Sequence, residues 1–134
     1  MNKLINKAAL AVFKDKKILF VRTQKQKDVF YTLGGKYLEG ESDIDCIKRE
    51  VKEELGCEVD QNSLKFLKEF EDEAHGGQAM LNLRLYEGKL IGEPKPSTEI
   101  VEIGYFDTNS DPKNLSVIAL RTIMPWLKKH GLIN

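Results

Sequence analysis

Three glutamates, Glu50, Glu53 and Glu54, are spaced so that their side chains would share one stripe of an α-helix. At 3.6 residues per turn, positions i, i+3 and i+4 are neighbours, so these carboxylates are expected to converge and repel one another. A hard divalent cation relieves such repulsion, because Mg²⁺ prefers oxygen ligands and bridges to phosphates. The spacing therefore favours metal-assisted hydrolysis of a phosphoanhydride over a solvated acidic face balanced by nearby basic residues.

The residues around these glutamates carry the signals of a helix that follows a glycine turn. Gly34 and Gly35 end an apolar, aromatic run and allow a backbone path that a Cβ would forbid. Ser42 is a suitable N-cap and Gly56 stands where a helix commonly stops, so the helix is predicted to run from Asp43 to Leu55. Its apolar face is expected to contain Ile44, Ile47, Val51 and Leu55.

A longer pattern spans residues 35–57, which read GKYLEGESDIDCIKREVKEELGC. This segment resembles the Nudix box of Nudix (MutT-like) hydrolases, Gly-x5-Glu-x7-Arg-Glu-U-x-Glu-Glu-x-Gly-U, where U is a bulky aliphatic residue. Cys57 departs from the aliphatic residue expected at the last position. Leu38 lies three residues after Gly35, where many members have a glutamate although the motif leaves this position free. The matching residues are Gly35, Glu41, Arg49, Glu50, Val51, Glu53, Glu54 and Gly56.

The resemblance implies a metal site. Glu50, Glu53, Glu54 and the backbone carbonyl of Gly35 match the positions that hold Mg²⁺, for which Mn²⁺ is a substitute. A carboxylate from a later strand often completes the cluster in this family. Glu99 is the expected ligand of that kind, with Glu102 as its alternative.

Catalytic and substrate-binding roles also follow from the resemblance. Arg49 is expected to fix the carboxylates by charge-assisted hydrogen bonds, and Glu41 is expected to pair with it or to lie close to the metals. Glu50 is the first choice and Glu53 the second for the base that takes a proton from water. A base outside the box is also open, with Glu71, Asp72, Glu73 and His75 as candidates. The expected substrate contacts are Tyr31, Gly34 and Lys36.

The elements that must position these residues are mostly strands. An α/β (α+β) fold is predicted from strands at 7–13, 17–22, 29–33, 57–59, 64–72, 80–86 and 99–107. A helical tail spans residues 115–130, where Pro125 either kinks one helix or starts a second. The resemblance sharpens this to an α/β/α sandwich around a mixed sheet, with the box as a loop–helix–loop.

Composition excludes several classes of protein. The 134 residues fit one domain, 1–134, and the 21 basic and 21 acidic side chains give zero net charge. A nucleic acid polymer is therefore not an expected partner. No apolar run is long enough to cross a membrane, and no signal peptide is visible. Cys46 and Cys57 have no metal-ligand or disulfide spacing, so a cytoplasmic protein with reduced thiols is expected.

The box recognises the diphosphate of the substrate and does not specify which group is attached to it. By resemblance to small Nudix proteins of this length, we expect a (deoxy)nucleoside triphosphate, including oxidised purine nucleotides, cleaved to monophosphate and pyrophosphate. The alternatives are an ADP-ribose or nucleotide-sugar pyrophosphatase, an enzyme for a non-nucleotide diphosphate, and a non-catalytic nucleotide sensor. Intact box glutamates argue against the sensor, because binding alone requires no activated water. A homodimer, common in the family, stays open.

Overall fold

The strand formed by Lys3–Ala11 (β1) lies at the centre of a seven-stranded mixed sheet, between strands that come from distant parts of the chain. The computed structural model describes residues 3–134. Its strands are β1 (Lys3–Ala11), β2 (Phe13–Lys14), β3 (Lys17–Thr23), β4 (Phe30–Lys36), β5 (Glu58–Glu73), β6 (Ala79–Ile91) and β7 (Ile100–Phe106). The helices are α1 (Asp43–Leu55), a π-helical turn (Ala119–Ile123) and α2 (Met124–Lys129).

The strand order is β2-β3-β4-β1-β6-β5, and β7 pairs with β3. β1 runs parallel to β6, from Lys3 opposite Ala79 to Ala11 opposite Glu87, and the other strand pairs are antiparallel. β1 starts four residues earlier than the apolar run that predicted it. Its first residues are held by β6, which is distant in sequence and gives no local signal.

Helix α1 covers one face of the sheet, and its predicted bounds are confirmed. The Ser42 hydroxyl accepts a hydrogen bond from the Asp45 backbone N–H at 3.1 Å. Gly56 ends the helix in the left-handed conformation at φ 66°, which a residue without a Cβ adopts at little cost. The apolar stripe of α1 packs on β1, β3 and β4, with Ile47, Val51 and Leu55 fully buried.

The C-terminal helical segment covers the opposite face of the sheet, so the predicted three-layer arrangement is confirmed. Leu127 of α2 belongs to the same core cluster as Phe20 of β3 and Leu83 of β6. Pro125 is followed and preceded by helical residues, and the backbone N–H of Met124 bonds to the carbonyl of Ala119, five residues back. The wide turn accommodates the proline ring, which would clash with a carbonyl in regular α-helix. None of the helices in residues 3–134 is both long and apolar enough to span a bilayer.

Strand β5 differs from the prediction, because it is one strand and not two. The sequence predicts separate strands at 57–59 and 64–72, with a break at Asp60–Ser63. In the structure this polar stretch is a bulge, where pairing with β6 shifts register between Asp60 and Lys65. The Ser63 hydroxyl stabilises the bulge: it donates to the Asp60 carbonyl at 2.6 Å and accepts from the Lys89 N–H at 2.8 Å.

Candidate active site

The end of β4 brings two glycines against the rest of the site. Gly34 has a positive φ of 149°, and a Cβ there would lie 2.2 Å from the Ala8 carbonyl oxygen of β1. A Cβ on Gly35 would lie 2.5 Å from Cδ of Glu50. The two glycines therefore let the backbone of β4 approach both β1 and a carboxylate of α1, as other residues could not.

Arg49 binds both carboxylate oxygens of Glu41 through one edge of its guanidinium, which is the first of the two arrangements expected for Glu41. Its Nε donates to Glu41 Oε2 at 2.8 Å and its Nη2 donates to Glu41 Oε1 at 2.9 Å. Glu41 Oε1 also accepts from the Leu38 backbone N–H at 3.0 Å. These bonds stabilise the ionised carboxylate, and Arg49 above all lowers the pKa of Glu41 to about 2.

The same guanidinium reaches the helix carboxylates and the end of β4. Nη1 of Arg49 donates to Glu50 Oε1 at 2.8 Å and to Glu53 Oε2 at 3.2 Å. Nη2 donates to the backbone carbonyl of Lys36 at 2.9 Å. One arginine thus connects the loop glutamate, two helix glutamates and the strand end, and fixes their relative positions by charge-assisted bonds.

Glu54 differs from its neighbours because it is buried. Only 8% of the residue is exposed, and its Oε2 has no hydrogen-bond partner in the part of the chain that the structure describes. Burial, reinforced by the nearby charge of Glu50, raises the pKa of Glu54 to about 9. Burial also raises the pKa of Glu50, and Arg49 partly offsets this. Glu53 is more solvated, with 55% of its side chain exposed.

The donor set fits a hard cation better than it fits the protein alone. A buried carboxylate oxygen without a partner costs free energy, and two crowded carboxylates with raised pKa values would both be relieved by a divalent ion. Across residues 3–134, however, no three acidic, histidine or cysteine side chains already converge on one point. Two of the three helix glutamates, Glu50 and Glu53, are instead bound by Arg49.

Glu99 lies outside this cluster, on the loop before β7. It is exposed and borders a cavity of about 340 Å³ with Thr23, Gln24, Lys25 and Thr98. Its loop is joined to α1, because the Ser97 backbone N–H donates to the carbonyl of Glu54 at 2.9 Å. That contact keeps the loop beside the buried glutamate, and a ligand role for Glu99 stays a prediction. Glu102 instead pairs with Arg22 at 2.6 Å.

The predicted substrate contacts share one groove with the buried glutamate. A cavity of about 390 Å³ is lined by Tyr31, Gly34, Lys36 and Glu54, among others. An adjoining cavity of about 220 Å³ shares Tyr31 and Lys36 and adds His75, whose ring meets Tyr31 edge-on at 6.2 Å between centroids. The structure thus brings the three predicted contacts together beside α1.

Lys7 is a groove residue that the sequence reasoning missed. It lines both cavities and stands directly opposite Lys36 in the β1–β4 pair. Burial, followed by the like charge of Lys36, lowers the pKa of Lys7. A single lysine at the start of an apolar strand looks like a solvated end, and the register that pairs it with Lys36 is not visible in the sequence.

Two polar clusters near the site have structural roles. Asp43, at the start of α1, accepts from the Tyr37 hydroxyl at 2.6 Å, the Tyr86 hydroxyl at 2.7 Å and Arg84 Nε at 2.7 Å. This anchors the first turn of α1 to β6.

Asp72, a candidate base outside the box, is held by Arg121 and Thr122 of the C-terminal helical segment. Arg121 is the main reason that the pKa of Asp72 lies below its usual range. A carboxylate held in this way is a poor proton acceptor, which leaves His75 as the loop candidate that faces the groove.

Comparison with known proteins agrees with this geometry. The family model described as NUDIX domain matches residues 4–127. No curated protein matches the chain. Among solved structures, the chain is similar to a MutT NUDIX hydrolase from Burkholderia pseudomallei, with 19% identity and a TM-score of 0.75 over 92% of this chain and 98% of that one.

Two further structures are similar over most of this chain. The MutT protein from Methanosarcina mazei Go1 has 16% identity and a TM-score of 0.74, covering 97% of this chain and 96% of that one. A UDP-X diphosphatase has 21% identity and a TM-score of 0.71, covering 98% of this chain and 65% of that one. At these identities the likeness shows a shared fold.

Proposed function

Because the chain belongs to the Nudix family of pyrophosphate-bond hydrolases, we propose that it cleaves a (deoxy)nucleoside triphosphate to monophosphate and pyrophosphate. The observation that carries the chemistry is Glu54, a buried carboxylate with an unpartnered oxygen at one end of an open groove. A purely structural glutamate would be exposed or paired at this position. A divalent cation bound there together with the substrate would account for its burial beside Glu50.

A divalent cation, Mg²⁺ or Mn²⁺ in its place, would be held by Glu50, Glu53, Glu54 and the carbonyl of Gly35, and would supply phosphate polarisation and acidified water. Arg49 would keep Glu50 and Glu53 aimed at the groove while Glu41 keeps Arg49 in place. Glu54 would have to lose its proton as a ligand, because its pKa of about 9 leaves it neutral at pH 7.

Proton transfer is assigned to Glu50. Its Oε1 is fixed by Arg49, and its raised pKa makes the ionised carboxylate a stronger base than an ordinary surface glutamate. Glu50 would accept the proton of a water that attacks one phosphorus, while the bond from that phosphorus to the leaving phosphate oxygen breaks. Glu53 is the second choice, because it is more exposed and makes one longer contact with Arg49.

The groove supports a nucleotide as the substrate. Tyr31 offers a ring wall, Gly34 lines the groove with backbone, and Lys36 offers a positive charge. Hydrolysis of a nucleotide sugar is the second candidate, and the structural likeness to a UDP-X diphosphatase supports it. Cys46 and Cys57 are free and buried, which supports the cytoplasmic location expected from the sequence.

The test is release of phosphate and pyrophosphate from nucleoside triphosphates, oxidised purine triphosphates and ADP-sugars with Mg²⁺. Glu53→Gln should remove turnover, and Glu58→Gln, an exposed glutamate at the start of β5, should leave it unchanged. Pyrophosphate from a triphosphate supports the proposal, whereas two monophosphates from an ADP-sugar alone would favour the second candidate. Nucleotide binding without turnover on any substrate would indicate a sensor.

A further inference from the structure

Two lysines face each other across the central strands of the groove. Lys7 of β1 and Lys36 of β4 are directly opposed in an antiparallel pair, so their side chains leave the same face of the sheet. Like charges in opposed positions destabilise a sheet. The opposed lysines therefore destabilise the sheet, and the fold itself does not explain why both are there.

Neither lysine has a counter-charge in contact. Within residues 3–134, no carboxylate oxygen lies within 4.0 Å of the Lys7 or Lys36 ammonium group, and neither ammonium donates a hydrogen bond to the protein. The arginines at 22, 49, 84 and 121 are all paired with carboxylates. Lys7 is only partly exposed, and its ammonium lies 5.8 Å from the Tyr31 ring centroid. It is therefore held in the groove and does not extend into solvent.

The position of the two lysines indicates what they meet. Both line the cavity that contains Glu54 and Gly34, and both line the adjoining cavity that contains Tyr31 and His75. They stand at the junction between the carboxylate end and the ring-walled end of the groove. A substrate that reaches from one end to the other must pass the two ammonium groups.

We propose that Lys7 and Lys36 form a cradle for a substrate phosphate that the helix carboxylates do not engage, which makes the enzyme selective for a chain of three or more phosphates. The inference rests on the proposed function and names the feature of the substrate that is selected. An ammonium group is a compact charge with three donors, which suits a phosphate with several acceptor oxygens. Glu54 and Glu50 are the acidic groups that act on Lys7, and a bound cation would engage both carboxylates, which leaves the lysines for the substrate.

The first experiment measures binding without metal or turnover. Inorganic tripolyphosphate is titrated into the protein in EDTA by calorimetry, with pyrophosphate as the shorter comparison. Lys7→Met and Lys36→Met should each weaken tripolyphosphate binding by about tenfold, the loss of one charge-assisted bond. Lys65→Met, on exposed β5, is the matched control and should bind as wild type does.

Methionine retains most of the apolar stem of Lys7, and Lys36 is exposed, so at least the second variant should fold even if the first does not. Any one of three results would refute the proposed phosphate cradle. These are unchanged binding in the lysine variants, an equal loss of binding in Lys65→Met, and no tripolyphosphate binding by wild type.

The second experiment compares kcat/KM for ATP and ADP-ribose, which share adenosine but differ in phosphate number. Lys7→Met should lower the value for ATP about tenfold more than the value for ADP-ribose, and Lys7→Arg should restore part of the difference. An equal loss on both substrates would overturn the selectivity. If wild type cleaves no triphosphate of the panel used to test the proposed function, that function fails, and the tripolyphosphate titration still decides whether the cradle exists.

Discussion

Replacing Glu54 by glutamine should stabilise the metal-free protein, and the gain should grow with pH. The carboxyl is 8% exposed, and its pKa is raised from an ordinary 4.5 to about 9, first by burial and then by Glu50. Between these values the folded protein holds a proton that the unfolded chain has lost. The contribution of the Glu54 proton to the free energy of unfolding is therefore fully present below pH 4.5. It falls by about 1.4 kcal/mol per pH unit as the pH rises towards 9.

Glutamine is a neutral side chain of the same shape and does not titrate. Relative to wild type, Glu54→Gln should gain roughly 3 kcal/mol in free energy of unfolding between pH 5 and pH 7, from the slope of a single proton. The measurement is urea unfolding in EDTA at pH 5, 6, 7 and 8. Glu53→Gln is the matched control, because it makes the same substitution on the same helix at a side chain that is 55% exposed, and it should not reproduce the gain of Glu54→Gln.

The second part of the test is the effect of Mg²⁺ on the free energy of unfolding. Mg²⁺ should raise the stability of wild type and release a proton, whereas Glu54→Gln should lose most of that gain because it has lost a ligand. A stability difference that does not change between pH 5 and pH 8 would refute the reasoning. So would a glutamine variant that is less stable than wild type at pH 8 without metal.

Three other changes address the parts that hold the site together. Arg49→Lys cannot make the two-point contact with Glu41, so kcat should fall on the order of 100-fold with an unchanged circular dichroism spectrum. Gly34→Ala should lower the free energy of unfolding by at least about 2 kcal/mol in urea, because its Cβ would strike the carbonyl of Ala8; wild-type stability would contradict the close approach. Asp43→Asn loses charge-assisted bonds and should cost about 1–3 kcal/mol by the same assay, an effect that 1 M salt should not abolish.

The box helix could be predicted to the residue because its signals are local. The N-cap hydroxyl of Ser42, the apolar spacing and the left-handed Gly56 all act within a few residues of the helix they define. The pairing of Arg49 with Glu41 was also predictable, although the resemblance supplied it and the spacing alone did not. These are the parts of the site that lie within one segment of the chain.

Features that depend on distant partners were not predictable. The polar stretch after Asp60 looks like a turn, and only its pairing with β6 turns it into a bulge within one strand. Lys7 gains its role from its register with Lys36, which depends on how two strands align across the sheet. The burial that raises the pKa of Glu54 likewise arises from packing around α1, and an identical sequence stripe on a free helix would be solvated.

The central place of β1 has a consequence for how the protein is made. β1 leaves the ribosome before the other strands of this sheet, yet one of its two neighbours, β6, is complete only when Ile91 has been added. At about 5–20 residues per second, the nascent chain spends several seconds with that edge of β1 unpaired. Alanine and leucine dominate the buried half of β1, so during synthesis this strand is an apolar edge open to other chains. Slow translation between β4 and β6 should therefore lower the yield of folded protein more than slow translation after β6.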